Sequence, residues 1–269
     1  MPELPDVEIY KRHLDQTSLH KKIRRVAVMD ARLLGSLAGS EFARRVEGKE
    51  IARSRRHGKH LLAALNGAGW LVLHFGMNGS LKHFGADEEE PAYDRVRFDF
   101  AEGDHLAYLN PRRIGHVGLT SDPEAFAEGE KLGPDALDPS FDLAAFETAL
   151  AKRKRDLKSL LMDQEVVAGI GNIYSDEILF AARIHPRTGS DTLDANEGRR
   201  LFEAMKRVLQ TAVESGAGAE TLTGRLPPSF LIPHRKKGER CPGCGGEVET
   251  LKFSGRTAYS CPHCQKEAR

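Results

Sequence analysis

Removal of Met1 would make Pro2 the N-terminus and turn its nitrogen from an amide into a secondary amine, with the carboxylate of Glu3 beside it. Such an amine can attack an electrophilic carbon and form a covalent iminium intermediate. An α-amino group titrates near ~7.7–8.0, well below a lysine, so much of it is unprotonated near neutrality, and a cationic neighbour lowers that value further. Pro5 ends this short arm and suits the first turn of a helix. Taken alone, many chains start Met-Pro, and most such ends are frayed and inert.

The strongest single motif lies at the other end of the chain. All four cysteines fall after residue 240, as Cys241-Pro-Gly-Cys244 and Cys261-Pro-His-Cys264, with residues 245–260 between the pairs. This is the spacing of a four-thiolate Zn²⁺ site, closed to further ligands and therefore structural. With every cysteine committed, none remains for disulfides, and a reducing compartment, the cytoplasm, is expected. Residues 248–253 and 257–260 read as two strands joined at Ser254-Gly255, with Arg256 beside the turn and His263 exposed. An arginine on such a tip can enter a DNA groove; equally, the module can be only a stability clip.

Weaker motifs lie between these ends. Gly169-Ile170-Gly171-Asn172 precedes a helix, where glycines let a ligand approach backbone and helix N–H groups favour phosphate. An Asn N-cap explains the same letters. Lys158, on the preceding helix, could add charge there. Lys59, in Arg55-Arg56-His57-Gly58-Lys59-His60, could project from a strand edge or simply be solvated. In His74-Phe75-Gly76-Met77-Asn78-Gly79, an exposed Met77 would suit an apolar wedge between bases, or be half-buried in a turn. Asn110-Pro111-Arg112-Arg113-Ile114-Gly115 carries the same ambiguity.

The elements that must position these residues are legible in outline. Residues 5–18 read as a helix with Val7, Tyr10 and Leu14 on one face. Short strands follow at 23–29, 59–65, 70–75, 95–100 and 106–109, which points to a β-sandwich or barrel. Residues 121–150 are acidic, with Lys131 the only basic residue, and strand patterns stop; the domain boundary is placed near Gly129–Pro139. Helices are then expected at 143–151, 155–162, 173–182 and 196–215, the last opened by a capping box from Asp194 to Glu197. Residues 218–240 read as loop, broken by Pro227, Pro228 and Pro233. At 269 residues the chain has room for two domains. No apolar run approaches a membrane span, and no basic-then-apolar leader stands at the start. A net charge of +1 hides basic stretches at Arg44–Lys59 and from Arg225 onward, which suit a polyanionic partner better than the total suggests.

Taken in order, these motifs resemble the bacterial formamidopyrimidine-DNA glycosylases and their relative endonuclease VIII. The resemblance rests on Pro2 to Glu8, Arg55 to Lys59, His74 to Leu81, Asn110 to Arg113, Gly169 to Tyr174 and the zinc hairpin, and spans nearly the full length. Leu4 is closer to the formamidopyrimidine branch. The resemblance implies an α+β multidomain fold. An N-terminal helix and β-sandwich (1–130) would precede a helix–two-turns–helix domain (131–225), then a remnant of a lesion cap and a four-cysteine zinc-finger hairpin (226–269), with DNA in the cleft. It implies a bifunctional DNA glycosylase/AP lyase of base-excision repair, monomeric and nucleoid-associated, acting on damaged double-stranded DNA. Pro2 would attack C1′ of the damaged nucleotide, Glu3 would move protons, and Lys59 would contact phosphate and keep Pro2 deprotonated. Asn172, Lys158 and Arg256 would hold phosphates, Met77 and Arg112 would fill the space of a flipped base, and Glu177 would line the lesion pocket. The ligands of one structural Zn²⁺ would be Cys241, Cys244, Cys261 and Cys264. Three departures stand out: Asp6 replaces a glutamate, Ile114 replaces an aromatic wedge, and 222–240 is a shortened cap that lacks the tyrosine-bearing Gly-Arg segment. The alternative is a non-catalytic zinc-finger protein of the same fold that binds DNA damage.

Overall fold

The computed structural model describes residues 1–218, 222–253 and 255–266. Residues 219–221, within the stretch read as loop, and Ser254 of the hairpin turn lie outside the described residues. The chain divides into two compact units, Met1–Pro2 with Val7–Glu130, and Glu3–Asp6 with Lys131–Arg269.

The first unit is a β-sandwich. Helix α1 (Leu4–Ser18) is followed by β1 (Ile23–Val28), α2 (Gly39–Val46), β2 (Ile51–His57), β3 (His60–Leu65), β4 (Gly69–His74), β5 (Ser80–Phe84), β6 (Asp94–Phe100), β7 (His105–Leu109), β8 (His116–Thr120) and α3 (Pro123–Gly129). The strands form two antiparallel four-stranded sheets, ordered β1-β6-β7-β5 and β2-β3-β4-β8. Strand periodicity of two turns Leu61, Ala63, Leu65, Leu71, Leu73 and Val117 of one sheet toward Val96, Phe98, Phe100, Leu106 and Tyr108 of the other. Val7 and Leu14 of α1 and Phe42 and Val46 of α2 join the same core. Leu62 and Val72, on the opposite face of their sheet, are also buried. Phe126 of α3 lies on that outer face, edge-on to His60. Strands covered on both faces read as continuous apolar runs, which is why 60–65 and 69–74 stand out in the sequence.

Three strands and two helices escape the sequence reading. β2 is Ile-Ala-Arg-Ser-Arg-Arg-His, with Arg53, Arg55 and His57 on one face and polar Ser54 and Arg56 on the other, so alternation shows only as Ile51 buried at one end. β5 and β8 are five residues each and carry one or two core side chains. α2 and α3 have eight and seven residues, too short for a helical period to emerge.

The second unit is helical. α4 (Leu143–Ala151), α5 (Leu157–Met162), α6 (Asn172–Ala182) and α7 (Ala195–Ser215) are followed by the hairpin β9 (Glu249–Phe253) and β10 (Arg256–Ser260). Asp142 and Asp156 cap α4 and α5, and Asp194 with Glu197 forms the expected capping box at α7. Leu201, Met205, Val208 and Ala212 of α7 pack with Ile178 and Leu179 of α6 in one core, to which Leu4 also belongs. α7 ends at Gly216, whose φ of 64° is the left-handed C-cap that glycine supplies without strain. Among the described residues no helix is long and apolar enough to cross a membrane. The α+β architecture expected from the sequence, a helix and sandwich followed by a helical domain with a cysteine hairpin, is the one the chain adopts.

Candidate active site and nucleic-acid interface

In the helical unit, the start of α6 is built around Glu3. Its carboxylate is buried and accepts N–H groups from Gly171 (2.7 Å), Ile173 (2.8 Å) and Tyr174 (3.1 Å). The first N–H groups of any helix lack intrahelical partners and carry the positive end of its dipole, so a carboxylate there is well placed. The Asn172 cap expected from the sequence is not what forms: Gly171 is the N-cap residue, with no side-chain cap bond, and Asn172 is the first helical residue. The cap comes instead from Glu3, far away in the chain. Gly171 is required for the approach, because a Cβ there would lie 2.5 Å from the Glu3 carboxyl carbon. Asp6 fixes the arm by accepting the Glu3 N–H at 2.8 Å, and Leu4 N–H donates to Gly169 O at 3.0 Å.

Beside this cradle lies a buried charge cluster centred on Asp176, a residue the sequence reading did not single out. Lys158 is fully buried, and its ammonium donates to Asn172 O (3.1 Å), Ser175 Oγ (2.8 Å) and Asp176 Oδ1 (2.7 Å). All three of its protons are engaged, so Lys158 holds the α6 start in place and its charge is matched by Asp176. Burial lowers the Lys158 pKa, and Asp176 opposes that shift. The second Asp176 oxygen accepts Arg235 Nη2 (2.8 Å) and Tyr259 N (3.1 Å), and the Arg235 guanidinium lies over the Tyr259 ring. One carboxylate therefore links α5, α6, the segment before the cysteines and β10. Asn172 Nδ2 donates to Thr257 O at 3.3 Å, and exposed Arg256 reaches Met162 Sδ at 3.7 Å. Glu177, next along α6, accepts the N–H groups of Leu231 (3.0 Å) and Ile232 (2.8 Å), where a short 3₁₀ turn begins. Burial pushes its pKa up to about 7 against the pull of those two donors.

In the sandwich, one end gathers the other candidates. His57 and His60 flank the two-residue turn Gly58-Lys59, with Gly58 at φ 55°. Lys59 is buried. His57, His60, His74 and His116 are successive cross-strand partners, so four imidazoles line this end of the sheet on one face. Burial pushes His60 down to about 3 and His74 down to about 4. β4 leaves this end into residues 75–79, and β7 into residues 110–115. The two loops are locked together: Asn110 Nδ2 donates to Tyr108 Oη (3.0 Å) and Phe75 O (3.4 Å), its Oδ1 accepts Ile114 N (3.2 Å), and Tyr108 Oη donates to His74 O (2.8 Å). A Cβ on Gly76 would meet Ile114 O at 1.5 Å, so only glycine fits there. The result holds Met77, Arg112 and Ile114 exposed on a rigid base.

At the C-terminal hairpin the four cysteine sulfurs lie within 4.8 Å of one another, with Cys241–Cys264 at 3.7 Å and Cys244–Cys261 at 3.5 Å. A tetrahedron with metal–sulfur bonds of ~2.3 Å has edges of about 3.8 Å, so the four thiols fit a closed tetrahedral metal site.

The chain matches the formamidopyrimidine-DNA glycosylase N-terminal domain over residues 1–117, the H2TH domain of the same enzymes over 132–223, and a zinc finger found in FPG and IleRS over 238–266. It is 34% identical to the formamidopyrimidine-DNA glycosylase of Listeria innocua, covering 99% of this chain and 100% of that one, and 36% identical to that of Heliobacterium modesticaldum with the same coverage. The chain belongs to the formamidopyrimidine-DNA glycosylase family. Its fold is similar to that of Lactococcus lactis Fpg in complex with DNA containing an abasic site (TM-score 0.89, 28% identity, 98% of this chain and 100% of that one). It is equally similar to the wild-type Lactococcus lactis Fpg complex with N7-benzyl-Fapy-dG DNA (TM-score 0.90, 28% identity, 99% and 100%). Relative to the family motifs, the structure brings Lys59, Met77 and Arg112 to one end of the sandwich, and Glu3, Lys158, Asn172 and Glu177 around the start of α6. Asp176 stands within Gly171–Glu177 and could have been flagged as an acid between two candidates; the histidine row could not, because register is invisible before folding.

Proposed function

We propose that this chain is a bifunctional DNA glycosylase/AP lyase of base-excision repair, removing oxidised bases from double-stranded DNA. The observation that carries the reading is the Glu3 carboxylate, buried at the start of α6 under three backbone N–H groups and adjacent in sequence to Pro2. With Met1 removed, the Pro2 nitrogen attacks C1′ of the damaged nucleotide and the base leaves with its bonding electrons, protonated as it departs. Glu3 moves protons while the sugar ring opens, and the N–H groups at the α6 start hold its carboxylate in one position as it does so. The resulting iminium acidifies C2′. Loss of a C2′ proton expels the 3′ phosphate, and a second elimination expels the 5′ phosphate. Lys59, on its rigid hairpin turn, contacts phosphate beside the reacting sugar and favours the neutral amine by its charge.

Asn172 and Arg256 hold backbone phosphates. Lys158, whose protons are all engaged, serves the same contacts by fixing Asn172. Met77 and Arg112 fill the space of an extruded base. Glu177 orders residues 231–232 at the edge of the lesion pocket. Cys241, Cys244, Cys261 and Cys264 hold a structural Zn²⁺, which when bound fixes the hairpin that presents Arg256. The protein acts as a monomer in the cytoplasm, on the nucleoid.

Single-turnover excision from duplexes carrying 8-oxoguanine, a formamidopyrimidine or an oxidised pyrimidine tests the assignment. Pro2→Gly is expected to retain some activity, since a primary amine still forms an imine, whereas Glu3→Gln is expected to lose base removal. Unchanged excision by Glu3→Gln would sink the acid/base role. Tight damage binding by wild-type protein with no excision of any base would favour a non-catalytic binder.

A further inference from the structure

The end of the sandwich that carries Met77 and Arg112 also bears exposed apolar side chains beyond Met77, and among them Tyr93 has been given no role. Five large hydrophobic side chains stand exposed among the described residues, and four of them, Met29 (47% exposed), Met77 (41%), Tyr93 (57%) and Ile114 (49%), are at this end. Strand register puts them there. Met29 N–H donates to Arg95 O, while Leu109 pairs with Asp94 on one side and Ser80 on the other. An isolated exposed hydrophobe needs no explanation, but a cluster rimmed by polar groups marks an interaction surface. The rim here is Arg95, Arg112 and Arg113, the last paired with Asp30 at 3.3 Å, and the positive charge left on Arg95 and Arg112 suits phosphodiesters.

Tyr93 is the member with a backbone cost. Its φ is 64°, in the left-handed region where an aromatic residue is strained and glycine is not. The conformation is fixed from two sides: Asn110 N–H donates to Tyr93 O at 3.1 Å, and Arg95 Nε donates to Asn110 O at 3.1 Å. Tyr93 is thus tied to the root of the loop that presents Arg112 and Ile114. The Arg95 guanidinium sits over its ring, 5.9 Å from the centroid. Glycine would satisfy this backbone without strain. The ring fills no core, and apart from the Arg95 contact it stands exposed, so the backbone strain of a tyrosine here points to a partner outside the fold.

We propose that Tyr93 stacks on an unpaired nucleobase next to the lesion, supplying the flat aromatic surface that Ile114 does not. The proposal rests on the DNA-glycosylase reading. A ring held in this way offers its face to any base, since stacking on aromatics is tolerant of sequence.

The test is equilibrium binding to a duplex with a non-cleavable abasic analogue and 2-aminopurine opposite or adjacent to it. Tyr93→Phe is expected to bind within twofold of wild type and to retain the change in 2-aminopurine emission. Tyr93→Gly is expected to show a Tm no lower than wild type, yet to bind about tenfold more weakly and lose that change. Tyr93→Asn, which also tolerates the left-handed region, serves as a second variant and is expected to behave as Tyr93→Gly does. Wild-type affinity and emission in both Tyr93→Gly and Tyr93→Asn would overturn the stacking role while leaving the glycosylase reading intact. Failure of the wild-type protein to bind any lesion duplex would overturn both.

Discussion

Glu3 depends on its neighbours more than its place in the sequence suggests. Three N–H groups converge on its carboxylate, so Glu3→Gln should cost about 1–3 kcal/mol of stability, by turning an NH₂ toward groups that also donate. Gly171→Ala is a sharper probe, because the added Cβ would stand 2.5 Å from the Glu3 carboxyl carbon. It should displace the carboxylate and depress base excision while duplex affinity falls little; unaltered excision would contradict the cradle. Asp176 makes a contrasting case. Asp176→Asn leaves the fully buried Lys158 ammonium without a counter-ion, and loss of one partner of a buried pair costs about 3–5 kcal/mol. Urea unfolding should show that loss, and a change under about 1 kcal/mol would mean that the pair is dispensable. The letters around 169–177 were legible as a glycine turn before a helix. That its cap is a carboxylate from the other end of the chain was not, because capping there is a tertiary contact.

At the scale of elements, strand register creates what no local pattern shows. His57, His60, His74 and His116 come from four strands and meet only when the sheet forms. In the folded chain His60 titrates at about 3 and His74 at about 4, both below the ordinary 6.5, because burial disfavours the imidazolium. The unfolded chain takes up protons from about pH 6.5 downward and the folded chain does not. Stability is therefore full above that pH and lost as pH falls toward 4. Urea midpoints measured from pH 7 to pH 5 should decline, and His60→Phe should flatten the decline; an identical slope in the variant would contradict the assignment. The long helices and the apolar strands were readable because their periods repeat several times. β2 was not, since one of its faces is arginine and histidine, and α3 was hidden in an acidic stretch where Pro123 is the one buried residue and Phe126 packs half-buried against His60. In the helical unit, Glu177 holds two backbone N–H groups of the segment before the cysteines. Glu177→Gln should speed hydrogen exchange at Leu231 and Ile232, and unchanged exchange would mean that the carboxylate does not order that turn.

For the molecule as a whole, family membership was legible because motifs from both ends occur in one order, each of them weak by itself. The cysteine hairpin stands apart, since its spacing alone specifies a closed thiolate site. A structural metal there contributes folding energy directly. Chelation should therefore unfold the hairpin that carries Arg256 and lower duplex affinity, with recovery on adding Zn²⁺; full affinity in metal-free protein would contradict a structural role. The covalent chemistry proposed for the chain runs through the Pro2 amine. Borohydride trapping on Met1-processed protein, with a duplex carrying an abasic site, is the measurement that decides it. The expected result is a protein–DNA adduct that peptide mass mapping places on Pro2 and that is absent when the Pro2 amine is blocked beforehand. An adduct on a lysine, or none while binding is intact, would contradict it.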